Sequence, residues 1–399
     1  MKEPRRAHRW FVAPLLTAAL VAGCLAADLP LPPTDRGGFS AGFSLLRPAQ
    51  EDGPPGLEVL AVWYPTDAVE AAYEYPGRGL AGARAASRVA VNAIPATRGA
   101  PYPVVVAAHG LFGSAIGLAY LAEYLARHGY VVAAMDYADT MPPDYTRQVA
   151  AQRVGSGEVF TSGLAFLTTA GRWARDLGAD PARLLRYLEE RRLQPTRELL
   201  DYLLGLNDRA GSVLEGLLNT DRVGMMGHSL GGYTTLGLVG GHPGPAWRDE
   251  RIKVAVLLSA GLLPYRGHVS QVATPVMVMY GENDPPGLGE PEDRYQTYAE
   301  VTRPRAVIVV AGAEHLTFSN PRSLNLADCW ERDRRLAVIV AYSLAFLDTY
   351  LCAVPEARAR FEQPTQGVLY HAYQWPGDTE QTWGELPPFV QQRRRPGGR

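Results

Sequence analysis

The chain has 399 residues, 47% of them hydrophobic and 20% charged, with a formal net charge of −2. That length and apolar content suit one large core or two smaller ones, and the spread of glycine and proline excludes a repeat array, a coiled coil or a collagen-like stretch. So small a net charge gives no support to a nucleic-acid partner.

The N-terminus reads as a targeting signal. Lys2, Arg5, Arg6 and Arg9 precede a short apolar run from Trp10 to Ala22, too short to span a bilayer as a mature helix. The run ends in Val21-Ala22-Gly23-Cys24, which resembles a bacterial lipobox. That resemblance implies removal of residues 1–23 and a diacylglycerol on Cys24, which makes a membrane of the cell envelope the partner of the anchor. The alternative is an ordinary secretory signal cut after Ala26, giving a soluble secreted protein; either outcome means export. Residues 24–50, Pro/Gly-rich around LPLPPTDRGG, are expected to form a tether, with the folded domain over 51–352.

Within that domain GLEVLAVWYPTD (56–67) alternates like an edge strand and stops at Pro65. YPVVVAAHG (102–110) is a continuous apolar strand, AIGLAYLAEYLARHG (115–129) has helical spacing with a glycine stop, and YVVAAMDY (130–137) is another buried strand. Residues 138–220 are long for one crossover. RWARDLGADPARLLRYLEE and PTRELLDYLLGLN carry helical periodicity there, predicting two or three helices that form an insertion or partial lid.

Further apolar runs follow in DRVGMMGHS (221–229), IKVAVLLSA (252–260), PVMVMYGEND (275–284) and RAVIVVAGAEH (305–315). Runs this rich in Val, Ile, Leu and Met are parallel strands covered on both faces. The predicted class is therefore α/β, a mostly parallel central sheet with helices on both faces. Cys329 and Cys352 flank a stretch read as one helix. Twenty helical residues span about 30 Å, whereas a disulfide needs Cα atoms within about 7 Å, so the spacing argues against a bridge. Residues 353–399 lose periodicity and read as a peripheral extension with a frayed basic end, QQRRRPGG.

The chemistry centres on Gly227-His228-Ser229-Leu230-Gly231, a G-x-S-x-G pattern between a strand and a helix-like run. Glycine at both flanks suits a turn that holds a serine in strained backbone. A serine hydroxyl needs an adjacent base. Of the eight histidines, His315 alone follows the last core strand, at the carboxyl edge where open α/β sheets keep their sites. A carboxylate should orient that imidazole. The strand ending YGEND offers Asp284, favoured because it lies past the strand end, and Glu282 as the alternative. Donors for a developing oxyanion are expected at the backbone N–H of Leu230 and in HGLFGS (109–114), with Leu111 first and Phe112 second. No cluster of His and acidic residues has metal-ligand spacing.

VWYPT, VVVAAHGLFGS, YLARHGYVVAAMDY, LNTDRVGMMGHSLGG and GAEHLTFS together resemble an α/β-hydrolase branch containing platelet-activating factor acetylhydrolases and predicted dienelactone hydrolases, with cutinase-like polyester hydrolases similar in layout. The resemblance covers about residues 57–350. It implies an α/β-hydrolase fold and cofactor-independent hydrolysis of a small-molecule carboxylic ester, by Ser229, His315 and a carboxylate with amides of Leu111 and Leu230.

The chain departs from the acetylhydrolase pattern where the acid would follow the strand after the serine turn. Ser259 stands there, so Asp284 takes that role and phospholipid acetyl specificity loses support. Serine in place of the cysteine of true dienelactone hydrolases weakens that substrate too. The expectation is a serine esterase for soluble or short-to-medium acyl esters, with EVFTSGLAFLT (158–168) lining an acyl pocket. An acyltransferase or lipase on the same three residues, or a non-catalytic envelope binding protein, are the alternatives.

Overall fold

The computed structural model describes residues 38–48, 53, 54, 56–76, 85–140, 179–262, 264–284, 291–302, 304–320 and 325–385. They build one twelve-stranded sheet. Its centre is made by β5 (Tyr102–Ala108), β6 (Val131–Met135), β7 (Leu218–His228), β8 (Ile252–Leu258), β9 (Val276–Gly281) and β10 (Arg305–Val310). These lie in the order β10-β9-β8-β7-β5-β6 and pair in parallel throughout. Every residue of β5, β6 and β9 is buried, the reason these segments read as unbroken apolar runs. Strand order reverses at β5, which has β6 on one side and β7 on the other. The crevice beyond the carboxyl ends at such a point is where open α/β sheets place their sites.

Helices cover both faces, as predicted. On one, α1 (Ala119–Arg127) and α2 (Arg334–Leu347) share a core with Val105, Val132, Val256 and Met277. On the other, α3 (Pro181–Leu188), α4 (Gln194–Gly205) and α5 (Leu230–Leu236) pack with Val104, Val106, Met225 and Leu257. The alternation of strand side chains sends neighbouring residues into different cores. The α/β class read from the sequence is the class observed.

Several boundaries differ from the sequence reading. β2 (Leu60–Thr66), expected at an edge, is buried along its whole length between β6 and β1 (Ser40–Leu46), antiparallel to both. Its polar side chains find partners inside: Trp63 Nε1 donates to Tyr75 Oη (2.7 Å) and Tyr64 Oη to the Ala93 carbonyl (2.8 Å). β1 lies within the stretch assigned to the tether, so the sheet begins before residue 51. Its Ser40 pairs with Thr66, at the rim opposite the carboxyl ends of the parallel strands. β3 (Ala71–Tyr75) and β4 (Ala85–Val91) add an antiparallel flap that was not foreseen.

Residues 355–384, read as part of a peripheral extension, join the sheet instead. α6 (Pro355–Glu362) leads into β11 (Val368–Gln374), which pairs antiparallel with β10, and β12 (Gln381–Gly384), which pairs antiparallel with β11 and ends the sheet. The single helix expected between the cysteines is broken at Asp333, whose side chain accepts from Arg335 N–H to start α2. Cys329 and Cys352 form no disulfide. Cys24, and residues 158–168 of the suggested acyl pocket, lie outside the described residues, as does 141–178 of the predicted insertion.

His371 on β11 sits in an aromatic box, with ring centroids of Phe361, Tyr373 and Tyr342 at 4.9, 5.0 and 5.3 Å. Neither ring nitrogen has a hydrogen-bond partner among the described residues. Burial lowers its pKa to about 3. An unfolded histidine takes its proton near pH 6.5. This ring therefore contributes stability that is whole above that value and is lost as pH falls toward 3. His371→Phe should cut the loss of unfolding free energy between pH 7 and pH 5 by about 2 kcal/mol, read from urea curves at the two pH values. An unchanged difference contradicts the neutral, buried ring.

Candidate active site

β7 ends at His228 and α5 begins at Leu230, so Ser229 alone makes the turn, at φ 54° and ψ −120°. A side chain is strained there, at a cost on the order of 1–3 kcal/mol. Close packing holds it in place. A Cβ on Gly227 would overlap the Gly231 carbonyl, and one on Gly231 would overlap the Ala108 carbonyl at the end of β5. The Ser229 N–H donates to the Leu258 carbonyl on β8 (2.9 Å). Three adjacent strands thus fix the turn.

The hydroxyl meets the histidine predicted for it. Ser229 Oγ lies 3.0 Å from His315 Nε2, and His315 Nδ1 lies 3.0 Å from Asp284 Oδ1. His315 opens the turn after the β10 loop, and Asp284 follows β9 by three residues. The Asp284 side chain is 1% exposed and the His315 side chain 23%, so the carboxylate is screened from water while the imidazole reaches the surface. Glu282, the alternative acid, instead accepts from the Gly312 N–H (2.9 Å). His228 Nε2 donates to the His315 carbonyl (2.9 Å) and so holds the backbone that carries the imidazole. A hydroxyl, imidazole and buried carboxylate in this line can move a proton off the oxygen and hold the resulting imidazolium.

Ser259 carries a role the sequence did not reveal. It follows β8 directly, at φ 51°. Its Oγ donates to Asp284 Oδ2 and lies 2.6 Å from His315 Nδ1. Both carboxylate oxygens are therefore engaged. The signal available was its place at a strand end beside the serine turn.

Leu230, the first residue of α5, has a backbone N–H with no acceptor inside its helix. The 109–113 loop runs alongside: a Cβ on Gly110 would stand 3.2 Å from Ser229 Cβ. Leu111, half-buried, packs on the apolar core of the α5 face.

Behind that loop is a second buried polar cluster, also missed. Arg192, fully buried, lies in a wide π-type turn over Glu189–Leu193 between α3 and α4. Its guanidinium donates to the carbonyl of His109 (2.7 Å) and to Asp139 Oδ2 (2.6 Å), with Gly110 O at 3.4 Å, and stacks 4.2 Å from the Tyr137 ring. Burial would push the Asp139 carboxyl up, but the guanidinium outweighs it and the group sits below its ordinary value. Burial and the adjacent guanidinium charge bring His109 down to about 3. Its neutral ring places a proton on Nδ1, donated to the Gly110 carbonyl (2.7 Å), while Nε2 accepts from Thr140 Oγ1 (3.0 Å). Among the described residues no group of His, Cys, Asp or Glu could hold a metal ion.

No family model matches the chain. It is 26% identical over 284 residues to platelet-activating factor acetylhydrolase of Cavia porcellus, an alignment covering 64% of this chain and 59% of that protein. The chain thus spans less than two thirds of that relative's length. The distant relationship supports a place among ester hydrolases at the level of family.

The glycine contact between α5 and β5 yields a direct expectation. Gly231→Ala must part the helix from the Ala108 carbonyl, costing about 1–3 kcal/mol or more and lowering the calorimetric midpoint by several degrees. A midpoint equal to wild type would contradict so close an approach.

Proposed function

We propose that the protein is a serine carboxylic-ester hydrolase working through an acyl-enzyme. The observation that carries this reading is the continuous contact from Ser229 Oγ through His315 to the buried Asp284. His315 Nε2 takes the hydroxyl proton as Oγ attacks the acyl carbon. The carbonyl electron pair moves onto oxygen, and the backbone N–H groups of Leu230 and Leu111 receive that charge. His315 then returns the proton to the leaving alkoxide, the ester C–O bond breaks and the alcohol departs. Water, deprotonated by the same imidazole, attacks the acyl-enzyme, and the carboxylic acid leaves as Ser229 regains its proton. Asp284 holds the imidazole tautomer with its proton on Nδ1 and stabilises the imidazolium in both halves.

The proposed substrates are soluble or short-to-medium acyl esters. Ser259, uncharged, stands where the resemblance would put the acetylhydrolase acid, which counts against the acetylhydrolases' phospholipid acetyl specificity for this chain. The proposed location is the bacterial cell envelope, through a lipid on Cys24 and with residues 1–23 as signal, a reading that rests on the Val21-Ala22-Gly23-Cys24 sequence.

The test is a p-nitrophenyl ester series of increasing acyl length with wild type and Ser229→Ala, alongside fluorophosphonate labelling. Wild type should be fastest on short chains and label at Ser229. The variant should lose labelling and at least about a thousandfold in kcat. Equal rates in the two proteins would overturn the mechanism, and a long-chain optimum with interfacial activation would move the assignment to a lipase.

A further inference from the structure

We infer that Arg192 is a positioning residue, which fixes the direction of the Leu111 N–H in the oxyanion site. The inference rests on the ester-hydrolase reading above and extends it to a side chain remote in sequence from Ser229, His315 and Asp284.

The argument begins with the peptide unit joining Gly110 to Leu111. In a trans peptide the carbonyl and the following N–H point in opposite directions, so whatever holds the Gly110 oxygen also aims the Leu111 hydrogen. That oxygen is held from several sides. His109 Nδ1 donates to it at 2.7 Å, Gly113 N–H at 3.0 Å, and Arg192 Nη2 approaches at 3.4 Å. Arg192 Nη1 also binds the preceding carbonyl, of His109, at 2.7 Å. One planar guanidinium therefore faces two successive carbonyls of the loop, a geometry its rigid fork permits and a lysine ammonium does not.

The guanidinium itself is held. Asp139 binds Nη2 at 2.6 Å, and the Tyr137 ring lies against its face. Its burial is complete, which leaves little room for the loop to tilt. Donors drawing on the Gly110 carbonyl polarise the whole amide and strengthen its N–H as a donor. A cation behind the loop also favours the negative charge that develops in front of it. Interrupting a helix with a π-type turn is a frequent device for presenting a side chain at a functional site, and here the turn carries Arg192.

A positioning role differs from a purely structural one in what its loss changes. Ground-state binding of an uncharged ester needs little from the oxyanion donors, so KM should hold while kcat falls. Three variants separate the effects. Arg192→Lys keeps the charge and loses the fork. Arg192→Met breaks the pair, and the double variant Arg192→Met with Asp139→Leu removes both buried charges together, which folds more readily than leaving one unpaired.

Each variant is compared with wild type by thermal unfolding, by kcat and KM on p-nitrophenyl acetate, and by Ki for an aryl boronic acid whose tetrahedral adduct on Ser229 mimics the oxyanion. The expected result, in Arg192→Lys and the double variant, is a kcat loss on the order of 10- to 100-fold with KM within about threefold and a matching rise in Ki. Wild-type kcat and Ki in any folded variant lacking the guanidinium overturns the inference. So does a kcat loss accompanied by unchanged boronic acid affinity. A wild-type protein that neither turns over esters nor binds the boronic acid refutes the hydrolase reading itself, an outcome distinct from these.

Discussion

The arrangement depends on how closely the start of α5 approaches the end of β5. With glycine at 231 and at 227, the helix drops onto the Ala108 carbonyl. Ser229 is then forced into backbone that an L residue rarely adopts. A looser turn would relax φ and swing the hydroxyl away from His315. The strain on one residue is thus a consequence of packing between neighbours, and the hydrogen bond from Ser229 N–H to β8 ties the turn to a third strand. The histidine and carboxylate arrive from β10 and β9, in parallel register with that same sheet, so the convergence is set by the strand order.

Around this centre the buried polar groups are arranged in two clusters with separate tasks. Asp284, Ser259 and His228 surround His315, engaging its Nδ1 and its backbone carbonyl. Arg192, Asp139 and His109 support the facing loop. A cation and an anion inside a protein are costly to desolvate and, once paired, costly to separate, at about 3–5 kcal/mol for loss of one partner. Such a pair makes a stiff backing for a loop whose glycines would otherwise leave it free to move. The helical insertion carrying Arg192 is therefore joined to the site through the back of the loop as well as through any wall it forms.

The sequence disclosed the parts whose environment is uniform. β5, β6 and β9 are buried along their whole length and read as unbroken apolar runs, as do the buried carboxyl-terminal parts of β7, β8 and β10, and Ser229, Asp284 and His315 stand just past strand ends. β2 read as an edge because GLEVLAVWYPTD alternates and stops at Pro65, yet it is buried throughout and the Tyr64 and Thr66 hydroxyls are satisfied inside by loop carbonyls. β3 has exposed and half-exposed positions along most of its length, and β11 mixes His and Gln with aromatics, patterns set by antiparallel partners far away in the chain. Arg192 was invisible for a related reason. Beside Arg191 on an amphipathic run it looks like any solvated arginine, and only folding brings it 83 residues back to His109.

The pairing of Ser40 with Thr66 has a bearing on access. The polypeptide enters the domain at the floor of the sheet, whereas the Ser229 hydroxyl stands at its roof. A leash attached upstream of β1 would hold the domain by its base with the mouth facing outward. Under the proposed anchor, a substrate would then arrive from the surrounding fluid, with no need to be drawn from a membrane surface.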